Sequence, residues 1–334
     1  ALLFLDQDRL AESAKLLQEA LRIAQALPSG TLPAGHQAPD GTESLIEVTQ
    51  ADILGKLGEV YRKQGKMEEA LKAHKKELRL HQKMYGNVSA QALSTLSSIA
   101  SCYTAQGDYD GAMEKYREVL AMSQDLRPSE DHEGLGRVLS DMACVLNRQG
   151  KCAEALAMRE KALTILRDTV GPESEDYALS LLNLGDSYRQ EKRIDEAYAK
   201  VSEGLAIVQR TRAEKTSLEA RFLENMGNIV CDQGKADEGI KLYKKAVKIY
   251  RKTLGPYTLE VGKVLRNIAI EIEGQHSFAE ALQKYDEALG IIRGAVGNTH
   301  HEVARTLYDI SLCKKNTGDR EGALVAAKEA NGIY

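Results

Sequence analysis

Seven polar residues return at one place along this 334-residue chain: Lys56, Ser98, Asp141, Asn183, Asn225, Asn267 and Asp309. Each lies two residues before a small residue. An Asn amide offers both donors and an acceptor, which is what the unpaired N–H and C=O groups of an extended peptide require. Four residues earlier, one helical turn back on the same face, runs a second row. It reads Asp52, Ser94, Arg137, Leu179, Arg221, Lys263 and Arg305, so four of its last five members are cationic, and Arg266 lies beside them. Ammonium and guanidinium groups hold carboxylate or phosphate through charge-assisted hydrogen bonds. The chemistry these rows offer is recognition of an acidic segment. Asn183, Asn225, Asn267, Asp141 and Asp309 would hold its backbone, and Arg137, Arg221, Lys263, Arg305 and Arg266 its charges. Two structural readings compete. The Asn and Asp row could be a ladder capping neighbouring repeats, and the cations could form a solvated face neutralised by Glu224 and Asp232.

Other chemistry has little support. The seven histidines, His36, His74, His81, His132, His276, His300 and His301, do not pair at metal-ligand spacing on a helix face. No Gly-rich phosphate loop follows a strand pattern. No catalytic residue, metal or cofactor is therefore expected, and the chain is not read as an enzyme. A net charge of −4, three Phe and no Trp argue against nucleic acid. The five cysteines match no metal or redox spacing and read as reduced thiols of a cytoplasmic protein. No apolar run approaches the ~18 residues of a membrane span, so no membrane insertion is expected. A protein or peptide partner remains, and the oligomeric state is open.

The rows need elements to carry them, and those come from a repeat. Gln64-Gly65-Lys66-Met67-Glu68-Glu69-Ala70 returns as Gln106-Gly107 through Ala112 and as Gln149-Gly150 through Ala155. Worn copies follow, and the small residue after the acid falls at 70, 112, 155, 197, 239, 281 and 323. The steps are 42 residues, with one of 43, so one supersecondary unit is stacked many times. Each unit opens with a helix bearing Leu and, four later, a small residue, such as Leu54 and Gly58, or Leu265 and Ala269. A glycine then turns the chain into a second helix, and Lys192 and His276 stand in the glycine place of two units. Gly86, Gly171-Pro172, Gly255-Pro256 and Gly297 stop the second helices. Residues 126–134, with Pro128 and Gly134, are expected to do the same. Residues 1–27 read as the second helix of a partial repeat, 28–43 as a loop insertion rich in Pro and Gly, and 44–334 as seven tandem repeats. The chain opens and closes inside periodic segments, as a piece of a longer polypeptide would.

The succession of small residue, Tyr, Gly turn, Ala, Tyr and Ala resembles the tetratricopeptide repeat. Its usual period is about 34 residues, so each helix here gains roughly one turn. The long form resembles the repeats of kinesin light chains and nephrocystin-type proteins, most closely from Gln233-Gly234-Lys235 through Tyr243, Leu254-Gly255-Pro256, Leu265, Asn267 and Ala269. Kinesin light chains carry a heptad coiled coil that this sequence does not show. Asn298-Thr299-His300-His301 is the nearest match to their acid-His-Pro loop. The resemblance implies an all-α, right-handed superhelical solenoid of antiparallel helix pairs, with a concave groove lined by the first helices. It implies a scaffold or adaptor that holds a peptide or helical segment of a partner. The alternative function is a structural subunit of a large cytoskeletal or motor-associated assembly, bound through the convex face and the ends.

Overall fold

The computed structural model describes residues 7–26, 45–123, 132–212 and 214–333. The expected insertion at 28–43 and most of the turn at 126–134 lie outside the described residues. Fifteen α-helices and no strand occur among them. They fall into two compact units, Ala1–Val170 and Gly171–Tyr334. The first holds α1 (Gln7–Ala26), α2 (Leu45–Lys63), α3 (Met67–Tyr85), α4 (Ala90–Gln106), α5 (Tyr109–Ser123), α6 (His132–Arg148) and α7 (Cys152–Thr169). The second holds α8 (Glu175–Gln190), α9 (Ile194–Thr211), α10 (Ser217–Asp232), α11 (Ala236–Thr253), α12 (Leu259–Gly274), α13 (Phe278–Val296), α14 (His301–Asn316) and α15 (Arg320–Asn331). Within each unit a helix packs on the next one in sequence, so each unit is a run of helical solenoid.

The small residues of the repeat are where helices meet. Of the alanines after the acid, Ala70, Ala112, Ala155, Ala197 and Ala281 are wholly buried and Ala323 is half-buried. At Gly227 an added Cβ would stand 2.5 Å from the Tyr243 ring, so α10 and α11 approach closely only because that side chain is missing. Tyr116, Tyr243 and Tyr285 of the second helices are among the largest fully buried side chains. Their hydroxyls are not left unsatisfied: Tyr243 donates to Asn228 Oδ1 at 2.7 Å and Tyr285 to Glu273 Oε2 at 2.9 Å.

The turns follow the sequence reading. Gly65, Gly107, Gly150, Gly234 and Gly318 have φ between 76° and 86°. Lys192 and His276, in the equivalent places, adopt φ of 62° and are the non-glycine residues with positive φ among the described residues. Several first helices begin at a hydroxyl cap: Ser89, Ser174 and Thr216 accept from the N–H of Ala92, Tyr177 and Glu219. On α1, Ala14 and Ala24 are buried.

Candidate peptide-binding groove

The first helices of the two units carry the predicted rows separately. Asp52 and Lys56 stand on α2, Ser94 and Ser98 on α4 and Arg137 and Asp141 on α6 in the first unit, while the others stand on α8, α10, α12 and α14 in the second. The two rows keep to one side of each helix, because four residues are about one turn.

In the first unit a cavity of about 520 Å³ is floored by Ser94, Ser97, Ser98 and Ser101 of α4. Ser97 and Ser98 donate their single protons to the carbonyls of Leu93 and Ser94, so toward the cavity they can only accept. Asp141 stands on its wall and keeps an exposed edge. The density of protein around that wall pushes its carboxyl up to about 6, against the opposing pull of Arg137.

In the second unit a cavity of about 300 Å³ gathers Lys263, Asn267, Arg266, Arg305, Asn228 and Arg189. These groups differ in how far they are already engaged. Arg266 is only 4% exposed, and it donates to Asp309 at 2.5 Å and to Glu302 at 3.3 Å. Two of the predicted groove residues, Arg266 and Asp309, thus face each other across adjacent first helices. Arg189 meets Asp232 at 3.0 Å. Lys263 and Arg305 stand in no ion pair among the described residues, and Arg305 is exposed. The amides are equally uneven. Asn225 donates one Nδ2–H to the Arg221 carbonyl at 3.0 Å, which leaves its oxygen and a second N–H. Asn267 makes no hydrogen bond among the described residues and is half-buried against the cavity. Asn183 is half-buried on α8. Arg221 is exposed and flanks Glu224, whose carboxyl burial pushes up while Lys263, the Tyr250 hydroxyl and Arg221 pull it down.

Asn228, Arg189 and Ile270 also line this cavity, and the sequence reading did not single them out. The signal was present: Asn228 and Ile270 follow Asn225 and Asn267 by three residues, the next step along the same stripe.

The sequence matches the tetratricopeptide repeat family over residues 49–125, 129–210 and 218–271. The chain belongs to that family. Among solved structures, this tetratricopeptide-repeat chain is similar to BtubC (BKLC) from P. vanneervenii. The TM-score is 0.55 at 19% identity, over 73% of this chain and 90% of that one. It is similar to the apo form of RapI with a TM-score of 0.63 at 13% identity, over 85% and 97% of the two chains. Apo NprR, a quorum sensor from B. thuringiensis, gives 0.66 at 11% identity, over 97% and 82%. At these identities the likeness concerns the fold. No curated protein matches the sequence. No helix among the described residues is long and apolar enough to cross a membrane.

Proposed function

We propose that this tetratricopeptide-repeat chain is a non-catalytic interaction module whose first helices in the second unit hold an acidic segment of a protein partner. One observation carries the reading: Lys263 and Arg305, with no ion pair of their own among the described residues, converge with the uncommitted amide of Asn267 on one cavity. A carboxylate there gains charge-assisted hydrogen bonds, while Asn267 pairs with the backbone beside it. Arg266, tied to Asp309 and Glu302, frames the cavity and is not consumed by the ligand. In the first unit, Asp141 and Arg137 belong to a separate, serine-floored cavity. The five cysteines, none in a disulfide, fit a protein working in the cytoplasm.

The test is a random peptide library panned against the full chain. The reading expects enriched sequences rich in Asp and Glu, lost on K263E/R305E and on N225A/N267A. Enrichment of neutral or basic sequences, or retention by both variants, would count against it. A second reading, a structural part of an assembly, draws on the exposed apolar side chains Tyr308, Leu324 and Val325 of α14 and α15. It predicts self-association or co-sedimentation with a large partner in analytical ultracentrifugation, and a monomeric species at all concentrations would remove it.

A further inference from the structure

A second surface of the second unit is built for a different contact, independent of the Asn267 cavity. Helix α11 carries Lys241, Lys244, Lys245, Lys248 and Lys252, all exposed and none in an ion pair among the described residues. The whole chain has a net charge of −4, so this concentration of one sign is local. Between α11, α12 and α13 opens a crevice of about 330 Å³. Its floor is aliphatic, from Val247, Leu265 and Ile268, and its rim bears Lys244, Lys248, Arg251 and Lys284. The single acid on the rim, Glu287, is already held by Lys284 at 2.7 Å and Arg251 at 3.0 Å. Lys244 and Lys248 are left to face whatever enters. On α12, Leu265 lies two residues from both Lys263 and Asn267, about 200° round the helix, so the crevice and the groove open on different sides.

We propose that this crevice docks an acidic amphipathic helix of a protein partner, with an apolar side chain on the Val247–Leu265–Ile268 floor and carboxylates against the α11 lysines. Charge complementarity selects the sign, and the recess selects the kind of macromolecule. A bilayer would need apolar side chains that protrude, whereas these three are buried and line a hollow. A nucleic acid would have no use for an aliphatic floor without a stacking ring. The lysines at 241, 245, 248 and 252 recur at steps of four, three and four, a straight stripe about 16 Å long beside the crevice. A partner helix laid alongside meets that stripe with Glu or Asp at the same spacing.

The probe is a labelled synthetic helix of about five turns, bearing Glu at i, i+4 and i+7 with Leu between, followed by fluorescence anisotropy. Binding should weaken about tenfold on K244E/K248E and at least severalfold on K244Q/K248Q. It should also fall about tenfold when the peptide's Leu residues become Ser. K263E/R305E, in the groove, should change it less than about twofold. Thermal melts of the exposed-lysine variants should match the parent. The proposal is overturned if neither lysine pair matters, if the Ser peptide binds as tightly, or if K263E/R305E abolishes binding. It is equally overturned if phosphatidylserine vesicles or an oligothymidylate bind more tightly than the peptide and depend on the same lysines.

Discussion

At the starts of most second helices one of two solutions to one local problem recurs. Where the residue after the turn is Asp108 or Asp319, its carboxylate accepts from the N–H of Gly111 or Gly322 at 2.9 and 2.8 Å. A Cβ on those glycines would come within 2.5 and 2.1 Å of the aspartate carboxylate, which would have to shift to make room. Where the first place holds Lys66, Lys151, Arg193 or Lys235, the second holds Glu69, Glu154, Glu196 or Glu238, and the arginine pairs directly with its glutamate. One residue earlier, Lys192 and His276 carry the strain of a left-handed backbone. Lys192→Gly and His276→Gly should each raise stability by about 0.5–1 kcal/mol, read as a higher midpoint in urea. Gly234→Val should lower it by more than about 1 kcal/mol, because a β-branched residue resists φ of 80°. Asp141 gives a pH signature. Its folded-state carboxyl titrates near 6, above the ordinary value of 3.8, so the folded chain holds the extra proton and its stability falls as pH rises between the two. Asp141→Asn should therefore be the more stable protein above pH ~6, by about 0.5–1 kcal/mol after allowing for its exposed edge. The difference should vanish below pH ~4, and melts across that range check it.

At the scale of elements, two sequence separations recur among the contacts between neighbouring repeats. Lys83 with Glu47, Arg251 with Glu287 and Arg266 with Glu302 lie 36 residues apart, and Arg266 with Asp309 and Arg189 with Asp232 lie 43 apart. Most are exposed and worth little, but Arg266 and Glu302 are both under a tenth exposed. Arg266→Met would strand Glu302 and Asp309 and should destabilise the second unit by about 3–5 kcal/mol in denaturant titrations. This is where sequence reading ended. The helix pairs, their turns and even the strained Lys192 and His276 were legible, because turn geometry and close packing are imposed locally, at fixed spacing. The state of each candidate side chain was not. Arg266 and Lys263 stand three residues apart on one helix, yet one is locked between two acids and the other is in no ion pair, because the acids come from the next repeat. The α11 lysines were visible in the sequence, but the aliphatic crevice beside them is formed by three helices.

For the whole molecule, stability in a solenoid comes from nearest-neighbour interfaces, so each compact unit has its own share. A fragment of residues 171–334 should fold alone, with helical circular dichroism and a cooperative melt, and should keep the Asn267 cavity and the lysine crevice. The central claim is that this cavity holds an acidic segment, and it is tested most directly by the dissociation constant of a library-selected acidic peptide. N225A/N267A should weaken it by about 1–3 kcal/mol, with Asn267→Ala giving the larger part because Asn225 has already spent one of its two N–H donors. K263E/R305E should weaken it further and flatten its dependence on salt. Binding that survives both pairs of changes, with the salt slope intact, would contradict the account.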